Sequence, residues 1–344
     1  MSGRMILSGY LKLAYNLIRP VFLLIPLAYF LIGALSTFAS PALLSLSIFW
    51  FFRQLAKFVI FTFALSHYSL TSYLAVFLAS LSGCNVNTYV DSRESDKYAY
   101  WKDYHNPIVE GIASPKDVLH LSIASAILSI IVGFMISFLF VIIILLGHIF
   151  SVTYSYKPRL KGKAPLDIVW NTIGLATLPF IAGYIIYLES PEGFSLSTFL
   201  LSAVYDTLYP SEISSGHVLL IIYIIGKSFP LNLFLGSNLM GAAFYTLTVT
   251  LDYEADKSSG LKTLAISLGK KRCLLLGVIL ALMGGATMFN AMMSNIQFTL
   301  TFLSFLFILV WALLNPNRSR LWASIKLIAL LLMACFLSEI LMFL

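Results

Sequence analysis

The stretch TVTLDYEADKSSGLKTLAISLG, residues 248–269, places three carboxylates at the end of an apolar run long enough to span a membrane. Asp252 and Asp256 stand four positions apart, so both side chains leave a helix on the same face. Two carboxylates this close repel each other unless a cation lies between them, and oxygen ligands without nearby Cys or His suit a hard ion such as Mg²⁺. Lys262 and the basic run at 270–272 follow. The stretch therefore predicts a magnesium site beside positive charge, an arrangement that suits a diphosphate.

A second acidic cluster occurs far upstream, again directly after an apolar run. It contains Asn87, Asp91, Glu94 and Asp96 within ten residues. Asn87 and Asp91 share a helical face, whereas Asp96 joins them only if the helix ends or bulges near Asp91. Either Glu94 or Asp96 therefore completes this cluster. A carboxylate at bilayer depth costs about 2.5–3.5 kcal/mol, so two such clusters indicate function. We predict that Asp91 and Asp252 face one shared cavity.

The composition defines the class of protein. The chain has 344 residues, of which 59% are hydrophobic and 11% charged, and its mean hydropathy is +0.91. These values are typical of an all-α polytopic membrane protein and exclude a soluble globular one. Basic loops at the membrane surface explain the net charge of +7, so no nucleic-acid partner is predicted. The three cysteines have neither metal-site spacing nor a disulfide pattern. The N-terminus lacks a small-residue cleavage site, so we expect it to be retained.

Hydrophobic runs predict nine transmembrane helices around a central cavity, because a span needs about 20 mostly apolar residues. The predicted spans are residues 16–38, 69–90, 118–136, 138–155, 167–187, 230–251, 273–292, 297–315 and 321–343. Residues 43–64 are apolar but carry Arg53 and Lys57 centrally, so they predict a helix in the membrane interface, and residues 190–228 predict a second interfacial insertion. The whole chain, 1–344, is then one integral-membrane domain.

The distribution of basic residues predicts the orientation in the cell membrane. With the N-terminus inside, the loops after the even-numbered spans lie on one side and hold most of the 22 Lys and Arg residues. Positively charged loops stay in the cytoplasm, so both acidic clusters and the loops around them are predicted on the cytoplasmic face. The lipid bilayer is therefore an expected partner.

Both clusters resemble the motifs of the UbiA-type intramembrane prenyltransferases. That family consists of nine-helix membrane enzymes with an Asn-Asp-rich motif ending the second helix and an Asp motif ending the sixth. The sequences NTYVDSRESD at 87–96 and DYEADKSSGLKT at 252–263 are similar to these motifs. The family spacing places the last acid of the first motif at Ser95, whereas this chain has Asp96. Asn106 stands where the family carries arginine before proline.

Two further segments resemble one branch of the family. Tyr154, Ser155, Arg159 and Lys161 are similar to the loop of the branch that includes chlorophyll synthases and lycopene elongases, and LPFIAGY at 178–184 fits that branch too. In elongase-like members a histidine precedes the second motif by seven positions, where this chain has tyrosine.

The resemblance implies that the protein transfers an isoprenyl group from its diphosphate to a hydrophobic acceptor through a Mg²⁺-assisted allylic cation. The implied catalytic residues are Asp91, Asp252 and Asp256. The implied Mg²⁺ ligands are Asn87, Asp91, Asp96, Asp252 and Asp256. The implied contacts to the isoprenyl diphosphate are Asn87, Tyr154, Arg159, Lys161, Lys257 and Lys262.

The acceptor stays open at this point. The loop resemblance favours a polyene or another large lipid, and the alternatives are an aromatic quinone precursor or a glycerolipid. A rival of another class is a cation-coupled transporter, although transporters place such carboxylates near the bilayer midplane rather than at helix ends beside basic loops.

Overall fold

The computed structural model describes residues 26–27, 29, 67–96, 106–189, 230–289 and 296–341. Within these ranges the regular structure is helical, apart from one isolated backbone pairing between Lys163 and Lys262. The helices are α1 (His67–Asp91), α2 (Pro115–Phe134), α3 (Phe138–Ser155), α4 (Leu166–Thr172), α5 (Leu178–Glu189), α6 (Leu231–Leu251), α7 (Tyr253–Ser258), α8 (Leu264–Leu268), α9 (Lys270–Thr287), α10 (Ile296–Leu314) and α11 (Arg318–Leu341). A 3₁₀ turn, Leu160–Gly162, precedes α4, and a π-helical turn, Ile173–Thr177, joins α4 to α5.

The described helices form an integral membrane protein. Among the described residues, four continuous helical segments are long and apolar enough to cross a bilayer: Pro115–Phe134, Phe138–Ser155, Leu166–Ile186 and Leu231–Leu251. Large apolar side chains such as Ile127, Phe138 and Phe307 are more than half exposed on the outside of the bundle, as expected where lipid replaces water. The all-α membrane class is thus confirmed.

Helices occupy the positions of the predicted second to ninth spans, with ends shifted by a few residues. The seventh begins at Lys270 and ends at Thr287, whereas the sequence predicted 273–292. Nearly all of the predicted first span and both interfacial insertions, 43–64 and 190–228, lie outside the described residues, so the count of nine stays a prediction.

Two serines define sharp helix starts in the polar connections. Ser114 accepts a hydrogen bond from the Asp117 backbone N–H at 3.1 Å and so begins α2, with Pro115 in the first turn. Ser137 accepts one from the Phe140 backbone N–H at 3.1 Å and begins α3 only three residues after α2 ends. This confirms the tight connection between the third and fourth predicted spans.

The apolar core has two principal parts, each built around the helix that carries one acidic cluster. In the first, Val76 of α1 packs with Ile144 of α3 and Ala182 of α5. In the second, Leu247 of α6 packs with side chains of α9, α10 and α11. A Cβ added at Gly277 of α9 would lie 2.1 Å from the Thr246 hydroxyl of α6, so this close helix crossing requires glycine. α1 and α6 are thereby held by separate packing groups.

Candidate active site

The first acidic cluster forms where α1 stops. α1 ends at Asp91, and residues 92–95 form turns, which confirms the helix end that the spacing of Asp96 required. The Asn106 side-chain amide donates to the Thr88 carbonyl at 2.8 Å and to Asp96 Oδ2 at 2.6 Å. This buried amide therefore holds Asp96 beside the last turn of α1. Glu94 instead pairs with Arg159.

The loop between α3 and α4 delivers a lysine to this cluster. Lys161 Nζ lies 2.6 Å from Asp91 Oδ2, and the two residues are only 7% and 2% exposed. Arg159 Nη2 lies 3.9 Å from Asp91 Oδ1. Arg159 adopts the left-handed backbone conformation, with φ of 57°, and this unusual turn starts the 3₁₀ segment that carries Lys161. The Ser155 hydroxyl, at the end of α3, donates to Asn87 Oδ1 at 3.1 Å.

The second acidic cluster forms at the end of α6. Asp252 lies in the turn after α6, and α7 then carries Asp256. The Asp256 residue is fully buried, and neither of its carboxylate oxygens makes a hydrogen bond with the described residues. A buried carboxylate without such bonds is strongly unfavourable, so the site requires positive charge close by.

Two contacts join the loop after α3 to the loop after α7. The Ala164 backbone N–H donates to the Lys262 carbonyl at 2.9 Å, next to the pairing of Lys163 with Lys262. The buried Asp167 carboxylate accepts from the Leu264 backbone N–H at 2.6 Å and from the Tyr245 hydroxyl at 3.0 Å. These bonds bring Lys161 between the two acidic clusters.

The electrostatics of the site follow from this arrangement. Burial alone would lower the pKa of Lys161, but the carboxylates of Asp91, Asp256 and Asp252 outweigh burial and hold that pKa well above its usual value. Burial raises the pKa of Asp252, and the neighbouring Asp256 carboxylate raises it further. Burial also raises the pKa of Asp256, although Lys161 offsets part of that rise. The two clusters and the lysine therefore act as one electrostatic unit.

Both clusters open onto one cavity of about 210 Å³. The predicted site residues that line it are Asn87, Asp91, Asp96, Tyr154, Lys161, Asp252 and Asp256. Three predicted diphosphate contacts do not line it. The side chain of Arg159 contacts the cluster through its pairs with Glu94 and Asp91, and Lys257 and Lys262 are exposed. Below the clusters the cavity continues between α1, α3, α5 and α6 along apolar side chains such as Leu178.

The donor atoms fit a hard divalent cation bridged by a ligand. Within the described part of the chain, no group of three or more His, Cys, Asp or Glu side chains is close enough to hold an ion alone. Mg²⁺ is commonly bound by one or two carboxylates, several waters and the oxygens of a substrate phosphate. Two carboxylate pairs face one cavity, and the buried Asp256 oxygens lack hydrogen bonds to the described part of the chain, which matches this pattern.

Two residues near the site were not predicted from sequence. Asp167 joins the two loops through the hydrogen bonds that it accepts from the Leu264 backbone N–H and the Tyr245 hydroxyl. The available signal was a carboxylate at the start of an apolar span, which seldom occurs without a partner. Tyr245 lines the cavity on α6, beside Tyr154, and the sequence marked this position only as the tyrosine that replaces the histidine of elongase-like members.

Comparison with known proteins identifies the family. The model of the UbiA prenyltransferase family matches residues 58–332, which is most of the chain. The chain belongs to the UbiA prenyltransferase family. No curated protein sequence matches it significantly.

Solved structures share the UbiA fold at low sequence identity. A UbiA homologue from Archaeoglobus fulgidus bound to GPP and Mg²⁺ is 18% identical, with a TM-score of 0.58 over 95% of this chain and 98% of that chain. The apo structure of a UbiA homologue from Aeropyrum pernix K1 is 17% identical, with a TM-score of 0.62 over 94% and 98%. A structure concerning digeranylgeranylglyceryl phosphate synthase is 16% identical, with a TM-score of 0.51 over 96% and 97%. These likenesses establish the fold of this UbiA member.

Proposed function

We propose that this protein transfers an isoprenyl group from an isoprenyl diphosphate to a hydrophobic acceptor inside the membrane. The observation that carries the proposal is that two acidic clusters and a buried lysine line the mouth of one cavity, which continues between apolar helix faces. A charged head with a long apolar tail is the ligand that such a cavity complements. The family membership supports the same chemistry, and a related structure contains GPP with Mg²⁺.

Mg²⁺ would be held by Asn87, Asp91 and Asp96 on one side and by Asp252 and Asp256 on the other. When bound, it would neutralise diphosphate charge and so make diphosphate a better leaving group. In the reaction the bond between the allylic carbon and its oxygen breaks, and diphosphate leaves with the electron pair. The acceptor forms the new bond to that carbon and loses a proton.

The cationic side chains would act on the diphosphate. Lys161 already lies between the clusters, so it would contact the departing oxygens with little movement. Tyr154 lines the cavity beside Lys161 and would orient the head group. Arg159 would position Glu94 and the loop, and the exposed Lys257 and Lys262 would attract the anionic donor from the cytoplasm.

The apolar part of the cavity would protect the allylic cation. Buried side chains such as Phe244, Leu178 and Val249 line it and exclude water, which otherwise captures the cation and gives an alcohol. For the acceptor we retain a polyene or other large lipid as the hypothesis, from the loop around Tyr154 and Lys161. A quinone precursor and a glycerolipid are the alternatives. The clusters would face the cytoplasm within one integral-membrane domain.

A labelling experiment tests the function. Membranes containing the protein are incubated with radiolabelled geranylgeranyl diphosphate, Mg²⁺ and a lipid extract of the host, and the labelled lipids are identified. The wild type should form a new labelled lipid and release diphosphate, and Asp252→Ala with Asp256→Ala should abolish both. Glu254→Ala is a matched control, because Glu254 lies between them on an exposed face and pairs with Lys270. Equal labelling by wild type and the double variant would refute the proposal. Ion flux without labelled product would favour the transporter.

A further inference from the structure

The cavity has a defined depth, set by the alignment of α1 and α3. Both helices run toward the acidic clusters. Ser155 contacts Asn87 near the cluster level, and a Cβ added at Gly83 would lie 2.7 Å from the Ser151 hydroxyl one turn below. Asn87 and Ser155 are 68 residues apart in sequence. A residue of α1 and the residue of α3 that is 68 positions later therefore lie at the same depth in the bundle. One more turn down, this alignment brings Ala79 level with Gly147.

Small residues keep the cavity open at that level. Ala79 and Gly147 both line the cavity. Among the described residues, none has an atom within 4 Å of a Cβ added at Gly147. Gly174, in the π-helical turn, also lines the cavity, and the nearest described atom to its added Cβ is the Phe150 Cβ at 4.0 Å. A larger side chain at position 147 would therefore project into the cavity instead of against a neighbouring helix.

The cavity floor lies one further turn away from the clusters. Val76 and Ile144 line the cavity and belong to the same buried core cluster, together with Ala182 of α5. All three are almost fully buried, at 4%, 4% and 1% exposure. They are among the described lining residues of α1, α3 and α5 farthest from the acidic clusters, and this level is taken as the cavity floor.

The depth of the cavity predicts the length of the isoprenyl chain that it holds. Ile144 lies eleven residues from Ser155 on α3, which at 1.5 Å per residue is about 16 Å. An extended chain advances roughly 1.1–1.2 Å per backbone bond, so an isoprene unit of four chain bonds covers about 4.5 Å. By length, the apolar part therefore corresponds to three to four units. Gly147 lies eight residues from Ser155, about 12 Å, which is the level of the third unit.

We infer that the donor is an allylic diphosphate of three to four isoprene units, and that Gly147 with Ala79 sets this length. The inference rests on the proposed function, because it takes the diphosphate to lie at the acidic clusters. The opening at Gly147 admits the third and fourth units, and the floor at Val76 and Ile144 ends the chain. A leucine at either Gly147 or Ala79 would leave room for two units only.

Binding of a donor series tests the inference without needing the acceptor. Purified full-length protein with Mg²⁺ is titrated with inorganic diphosphate and with thio-diphosphate analogues of one to five isoprene units, in which sulfur replaces the bridging oxygen. For the wild type, affinity should rise up to three or four units and then stop rising. Gly147→Leu should bind the two-unit analogue normally and lose roughly 10–200-fold for the four-unit analogue. Leucine is a better helix former than glycine, so this change does not weaken α3.

Two variants complete the experiment. Ala79→Leu places a leucine at the same depth of the cavity from α1, so it should reproduce the loss of affinity for the four-unit analogue. Ile149→Phe adds bulk on the lipid side of α3, where Ile149 is 55% exposed, and should bind like the wild type. If inorganic diphosphate and the one-unit analogue bind normally but neither leucine variant changes the length preference, the length inference is wrong and the proposed function stands. If wild-type protein binds none of these diphosphates, both are wrong.

Discussion

Removal of the Lys161 ammonium tests how the two clusters are balanced. Lys161 Nζ lies 2.6 Å from Asp91 Oδ2, and both residues are buried. Breaking a buried ion pair by removing one partner costs about 3–5 kcal/mol, because the other charge stays buried without its partner. We therefore expect Lys161→Met to destabilise the metal-free protein by that amount. The corresponding fall in Tm is roughly 4–7 °C for a protein of this size.

Mg²⁺ should raise the Tm of the Lys161→Met variant by more than it raises the Tm of the wild type. Without Lys161, the carboxylates of Asp91, Asp252 and Asp256 lack their common counter-charge, so an added divalent cation gains more by binding there. The measurement is Tm in detergent by intrinsic fluorescence, with Mg²⁺ titrated in the absence of any diphosphate. This assay reports on the site without depending on turnover.

Two comparisons isolate the charge effect from a general weakening of the loop. Lys163→Met changes an exposed lysine of the same loop and should leave the free energy of unfolding within about 0.5 kcal/mol of wild type. The double variant Asp91→Asn with Lys161→Met removes both charges and should be more stable than Lys161→Met alone. Equal losses from the two lysine variants, or Mg²⁺ titrations that run parallel to the wild type, would refute the reasoning.

Three further outcomes follow from the site. Burial raises the pKa of both carboxylates in the second acidic cluster, so the metal-free folded protein retains protons that the unfolded chain releases near pH 4. Its Tm should therefore fall as the pH rises through the raised pKa values. Saturating Mg²⁺ should remove that fall. Asn106→Ala removes the amide that holds Asp96 and should weaken Mg²⁺ binding by about 10–100-fold, measured by calorimetry with inorganic diphosphate present. Gly277→Val crowds Thr246 and should cost about 1–3 kcal/mol in thermal stability without changing Mg²⁺ affinity, whereas an unchanged Tm would contradict the close crossing.

Helix positions and the acidic clusters were predictable because each depends on local sequence. Apolar runs of span length determine where helices cross the membrane, and Ser137 begins α3 where a tight connection was expected. The spacing of Asp91 and Asp96 required a helix end, and α1 does end at Asp91. Patterns of this kind are read over a few turns of one helix, so a single sequence contains them.

The contacts that assemble the site could not be predicted, because they join distant segments through groups without a sequence signature. The pairing of Lys163 with Lys262 uses backbone atoms, which every residue has. Asn106 stands where the family has arginine, and Asp96 lies one position beyond the usual acid. The Asn106 amide bonds to Asp96, so each of these two differences from the family motif is explained only by the other. Lys257 and Lys262 have the right charge and neighbourhood in sequence, but their side chains are exposed. Charge patterns locate basic loops and do not fix the direction of a flexible side chain.

The separation of the acidic clusters onto two packing groups has a functional consequence. α1 carries one cluster and packs with α3 and α5, whereas α6 carries the other and packs with α9 to α11. Neither cluster has three acidic ligands among the described residues, so neither binds a hard cation tightly by itself. A diphosphate supplies the missing oxygens to both clusters at once, and any ligand that improves cation binding is itself bound better when the cation is present. The incomplete clusters thus make metal binding and donor binding depend on each other. Mg²⁺ is therefore bound tightly in the cavity only when the diphosphate donor is also bound.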